Sequence, residues 1–77
     1  MTFKMTKEEL FKLIADALKV DRNLIGENTM KKDLSFWDSL GTMMLMVALE
    51  QRANIKLSVK EMNQFQGVPD IIKRLNL

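Results

Sequence analysis

From Leu10 onward apolar residues recur at spacings of three and four. Leu10, Phe11, Ile14, Ala15 and Leu18 share one helical face, and Lys7, Lys12, Asp16 and Lys19 lie on the other. Thr6-Lys7-Glu8-Glu9 stands before them as a capping box, so a first helix is predicted from Thr6 to Lys19 or Val20. From Asp21 to Trp37 the period dissolves. Asn23, Gly26, Asn28 and Thr29 are turn formers, and Leu24, Ile25, Met30, Leu34 and Phe36 stand singly. A connection of about 17 residues is long against a median of roughly 4–6, and the single apolar residues are expected to pin it across the fold.

A second run carries no charge from Leu40 to Leu49. It is too short for a bilayer, which needs about 20 apolar residues, and reads as a helix from Asp38 or Ser39 to Arg52 or Ala53. Thr42, Leu45, Met46 and Leu49 share a face suited to the core. Met43, Met44 and Val47 lie on other faces, so partial exposure is expected there, as extra core or as a surface for a partner. Ile55-Lys56-Leu57 reads as a brief extended link. Ser58-Val59-Lys60-Glu61 is a second capping box, opening a short helix that runs to Phe65. Gln66-Gly67-Val68-Pro69-Asp70 breaks the chain, with Pro69 and Asp70 suited to the first turn of a last helix. Ile71, Ile72 and Leu75 pack that helix, and Lys73 and Arg74 lie near its C-terminal end. The pattern predicts an all-α fold: a small antiparallel bundle of three main helices plus one short helix, with a long first loop, as a single domain over residues 1–77.

Composition narrows the chemistry. Seventy-seven residues allow one modest core, and a chain of this size buries only about 60% of its unfolded surface. With no Cys and no His there is no disulfide, no thiolate or imidazole metal site and no Ser-His or Cys-His nucleophile pair. An enzyme is therefore not expected, and neither catalytic nor metal-binding residues are assigned. Twelve basic against ten acidic residues give +2, too weak and dispersed to argue for nucleic acid. Lys31-Lys32 reads as a solvated loop pair rather than a phosphate contact. Met1-Thr2-Phe3-Lys4 carries no leader-like apolar stretch, so a soluble, cytoplasmic, monomeric protein is expected.

Asp38-Ser39 opens the uncharged run. The first backbone N–H groups of a helix lack intrahelical partners, and the helix dipole is positive there, so a phosphate at that point is stabilised twice. Without a base beside it, Ser39 is a poor nucleophile but a sound anchor for a phosphodiester made by another enzyme. Judged as a dipeptide alone, the pair only begins a helix, Asp38 capping it.

The wider pattern resembles the acyl carrier protein family over Glu8 to Leu75. The resemblance rests on Asp38-Ser39-Leu40, Leu45 and Ala48-Leu49-Glu50, Ile55-x-Leu57, the Gly67-Val68-Pro69-Asp70-Ile71-Ile72 restart and the long irregular first connection. It implies that Ser39 receives 4′-phosphopantetheine from coenzyme A through a phosphopantetheinyl transferase. The thiol of that group then carries an acyl or aminoacyl thioester. Asp38 would flank Ser39 at the recognition site and Leu40 would contact the transferase or other partners, while Met43, Met44 and Val47 are the expected face for a loading ligase and a downstream acyltransferase or synthase. Carriers of primary fatty acid synthesis usually show carboxylates two and five positions after the serine. Here those positions are Gly41 and Met44, and the second helix has no acid before Glu50, so steering by opposite charge is weak. A Met-rich face that repacks against an apolar surface is the expected docking device. Trp37-Asp38-Ser39-Leu40 is similar to discrete carriers of specialised acyl, lipid or polyketide-type pathways, the preferred reading. Asp38-Ser39-x-Gly41-Thr42, Ala48-Leu49-Glu50-x-Arg52, Glu61-Met62 and Val68-Pro69 also resemble the D-alanyl carrier of teichoic acid modification, loaded by an adenylating ligase. A small helical interaction module without cofactor is the rival of another class.

Overall fold

The structure is a computed structural model that describes residues 5–77. The reading of Met1–Lys4 lies outside the described residues. Four helices form: α1 (Lys7–Leu18), α2 (Ser39–Arg52), α3 (Val59–Gln64) and α4 (Val68–Leu75), with two 3-10 turns, Arg22–Leu24 and Lys31–Asp33, inside the long connection. The expected all-helical bundle, with three longer helices and a short one, is what the chain forms.

The α1 capping box closes in both directions. The Thr6 hydroxyl accepts from the Glu9 N–H at 3.1 Å, and the Glu9 carboxylate accepts from the Thr6 N–H at 2.9 Å. That backbone bond, and then the Thr6 hydroxyl, hold the Glu9 carboxyl below its ordinary range. A group whose pKa is depressed by folding contributes stability above the unfolded pKa and loses it as pH falls through the folded value. Glu9→Gln should therefore be less stable than wild type at neutral pH, with the gap closing as pH drops below the carboxylate range of about 4. Chemical denaturation across that range reads it, and a gap that stays constant would contradict the capping account.

The helix stops where Lys19 turns left-handed (φ 59°), its N–H donating to the Ala15 and Asp16 carbonyls. The buried face of α1 is wider than the period indicates, because Leu13 and Ala17 are buried as well. α1 packs on α2 and also on the first 3-10 turn, so the helix is covered from two directions.

The expectation of apolar pinning in the long connection holds for three of the five residues and fails for two. Ile25 is buried and Met30 and Leu34 are half-buried, but Leu24 and Phe36 are exposed. Polar and backbone contacts hold the segment as well. The Arg22 guanidinium donates to both Glu8 carboxylate oxygens (2.7 and 2.8 Å) and to the Ile25 carbonyl (2.7 Å), and lies 5.1 Å from the Phe11 ring centroid. Further on, Met30 and Gly67 form an isolated antiparallel bridge, with Lys31 N–H donating to Gln66 O at 2.8 Å and Val68 N–H to Thr29 O at 2.9 Å. A Cβ on Gly67 would stand 2.7 Å from Thr29 O and 2.9 Å from Met30 Cα, so only glycine lets these backbones meet.

The remaining elements follow their caps, with one difference. Ser58 accepts from the Glu61 N–H at 3.0 Å, but the Glu61 carboxylate pairs with Arg74 Nε at 2.6 Å instead of returning to Ser58. The second capping box is thus only half formed, because a stronger charge-assisted partner from α4 competes. After α2 the chain turns left-handed at Asn54 and continues without regular structure to Leu57, whose N–H donates to the Glu50 carboxylate at 3.2 Å. At α4, Asp70 returns to accept from the Gln66 N–H at 2.6 Å.

Leu10, Leu13, Ile14, Leu45, Leu49, Met62, Val68 and Ile71 are fully buried, each contributing roughly 1.5–3 kcal/mol. Thr42 is buried among them, and its hydroxyl oxygen has no hydrogen-bond partner among the described residues. Thr42→Val keeps the shape and removes the unpaired hydroxyl, so it should stabilise by about 1 kcal/mol, or about 4–8 °C in Tm. A lower Tm would show that the hydroxyl is paired in solution. Among the described residues no helix is long and apolar enough to cross a membrane.

Candidate functional site

The start of α2 is built by Asp38. Its backbone is extended (φ −99°), its carbonyl accepts the first helical bond from Thr42 N–H at 2.8 Å, and its carboxylate accepts from Gly41 N–H at 2.9 Å. Ser39 and Leu40 occupy the first two helical positions, and both are exposed. Among the described residues, neither their N–H groups nor the Ser39 hydroxyl has a hydrogen-bond partner. The positive end of a 14-residue helix therefore presents one free hydroxyl and two free amide donors to solvent.

Gly41 makes this geometry possible. It is buried under the preceding segment, and a Cβ there would overlap the Phe36 carbonyl oxygen and approach Leu18 Cδ2 to 3.0 Å. The chain can thus double back over the helix start, with Trp37 buried and Phe36 turned outward beside Leu40. Phe36 and Leu40 are 56% and 69% exposed, high for large apolar side chains next to a polar helix start.

Along α2, Thr42, Leu45 and Leu49 point into the core, while Met46 is half-buried. Met43, Met44 and Val47 are exposed, and Val59 at the start of α3 is exposed too. The sequence pattern predicts Phe36 as a pin of the loop and assigns Val59 no outward face. One stands alone in an aperiodic loop, and the other belongs to a helix too short to show a face. Glu50, the first acid on α2, is half-buried and engaged with the Leu57 N–H, so it does not charge the outer surface. Lys31 and Lys32 sit on the second 3-10 turn, away from the α2 start in sequence and without an ion pair among the described residues.

An exposed serine hydroxyl on the first turn of a long helix suits phosphodiester attachment. Residues 8–75 match the family described as phosphopantetheine attachment site, PP-binding. The chain belongs to this family. It is a carrier that holds 4′-phosphopantetheine covalently and performs no catalysis itself. The group brings a thiol to a chain that has no cysteine. As a carrier it meets a phosphopantetheinyl transferase and the enzymes of its pathway. Searches of curated proteins and of solved structures found no significant match.

Proposed function

We propose that Ser39 carries the phosphopantetheine and that the chain, as one discrete cytoplasmic domain, tethers acyl thioesters for the enzymes of a specialised acyl, lipid or polyketide-type pathway. The observation that supports Ser39 is a comparison of the three serines. The Ser58 oxygen is engaged by the Glu61 N–H, and α3 behind it has only six residues. Ser35 lies in the turn before Trp37, outside any helix. Ser39 alone combines exposure, a free hydroxyl and the amide donors of a long helix, the setting in which an attached phosphate is stabilised.

The partner surface is assigned to Asp38, Leu40, Met43, Met44 and Val47. Asp38 acts first by holding the helix start through Gly41, and the other four offer apolar, adaptable contact. With no free carboxylate on the outer face of α2, association depends on apolar burial and responds weakly to salt. The tether then supplies the advantage. Cargo on the arm reaches a docked enzyme at an effective concentration in the mM range, without affinity of its own. Incubating apo protein with coenzyme A and a promiscuous transferase should add one phosphopantetheine, mapped to the peptide containing Ser39. Addition elsewhere, or none with several transferases, would overturn the assignment.

A further inference from the structure

Beside Ser39, between the C-terminal end of α1 and the start of α2, lies an open groove of about 350 Å³. Leu18, Phe36, Leu40 and Met44 supply its apolar walls, Lys19 and Asp38 line it with charge, and Gly41 contributes to its lining. A side chain at position 41 would project toward Leu18, with even a Cβ only 3.0 Å from Leu18 Cδ2.

We propose that this groove is a resting site for the proximal half of the phosphopantetheine arm. Leu18, Phe36, Leu40 and Met44 cover its gem-dimethyl segment, and Lys19 pairs with its phosphodiester. The inference rests on Ser39 being the attachment residue. Three observations carry it, together with the effect of tethering. Asp38 and Leu40 flank Ser39 in the chain and both line the groove, while Ser39 itself does not, so a group bonded to Ser39 starts one residue from the lining. Tethering of that kind makes even mM intrinsic affinity sufficient for occupancy. The groove volume falls within the range of small-molecule sites, roughly 300–1,000 Å³. Phe36 and Leu40 expose large apolar surfaces that an apolar segment would cover.

The charges also suit a phosphodiester. Lys19 has no ion-pair partner among the described residues, and its backbone is fixed by the left-handed cap of α1. The Asp38 carboxylate is engaged with the Gly41 amide. Two other grooves among the described residues offer no comparable start. One is lined by Met5, Ala53, Ile55 and Arg74, another by Glu61, Phe65, Asp70 and Lys73, and neither contains a sequence neighbour of Ser39.

The test uses isotope-labelled holo protein, made with coenzyme A and a transferase and checked by mass. Nuclear Overhauser contacts should run from the gem-dimethyl protons to the Phe36 ring and the side chains of Leu18 and Met44. Phe36→Ser, at an exposed position, should remove them and sharpen the gem-dimethyl signals. Lys19→Asn, which tolerates the left-handed cap, should weaken them. Contacts to Met43, Val47 or Val59 instead, or sharp gem-dimethyl signals without contacts in wild type, would overturn the groove while leaving Ser39 modified. Failure to load Ser39 at all would overturn both.

Discussion

Gly41→Ala is expected to destabilise the protein by about 1–3 kcal/mol, the usual cost of overpacking. The sign runs against helix propensity. A glycine inside a helix is ordinarily worse than alanine by roughly 0.5–1 kcal/mol, so the substitution would normally stabilise. At position 41 the added Cβ overlaps the Phe36 carbonyl oxygen and meets Leu18 Cδ2 at 3.0 Å and Asp38 Oδ1 at 3.4 Å. A side-chain tip could swing aside, but the first obstacle is backbone. That backbone is held by the Trp37 N–H bond to Leu34 O at 3.0 Å and by the buried Trp37 ring. A globular chain has only about 0.05–0.15 kcal/mol of stability per residue, so this loss removes a large share of the total. Urea denaturation should show a lower midpoint with an unchanged slope. Phosphopantetheine transfer should also slow, because the Phe36–Leu40 segment that frames Ser39 must shift. An alanine variant as stable as wild type would contradict the packing described between α1 and α2.

Where a residue's role was local, it could be read before the structure. The α1 period and its Thr6–Glu9 box foretold the helix start, and Asp38 before an uncharged run foretold the cap of α2. The absence of one clear apolar face on α2 anticipated that Met43, Met44 and Val47 would be exposed, since so small a core cannot surround the helix. What escaped notice was non-local. The Met30–Gly67 bridge joins backbones far apart in the chain and leaves no local pattern. The Arg22 clasp depends on Glu8 and Phe11, which lie on the preceding helix. Leu13 and Ala17 fell outside the counted stripe, yet both are buried, Ala17 on the side of α1 that faces Phe36 and Met44. Phe36 was misplaced because a lone apolar residue in a loop has no period to show which way it points. The half-formed box at Ser58 failed because Arg74, distant in sequence, competes for Glu61. At the proposed attachment site the residue types were legible early. The free hydroxyl of Ser39, the engaged oxygen of Ser58 and the groove over Gly41 needed coordinates.

Ser39→Ala is expected to abolish phosphopantetheine addition entirely while leaving the fold in place. The hydroxyl makes no hydrogen bond and the side chain is exposed, so its removal breaks no packing contact. Alanine is also the better helix former at a position just inside the cap. Helical circular dichroism and the urea midpoint should match wild type within a few tenths of a kcal/mol, the usual size of surface effects. Loss of loading in that variant therefore reports the missing oxygen and not a damaged domain. Ser35→Ala and Ser58→Ala serve as the controls that the geometry supplies. Ser58→Ala removes a cap, costing about 0.5–2 kcal/mol, yet should still load.

The decisive measurement is the intact mass of four proteins after incubation with coenzyme A and a promiscuous transferase: wild type, Ser39→Ala, Ser35→Ala and Ser58→Ala. A single phosphopantetheine on every protein except Ser39→Ala is the predicted result. A modified Ser39→Ala protein, or a wild type that gains nothing, would contradict Ser39 as the attachment point.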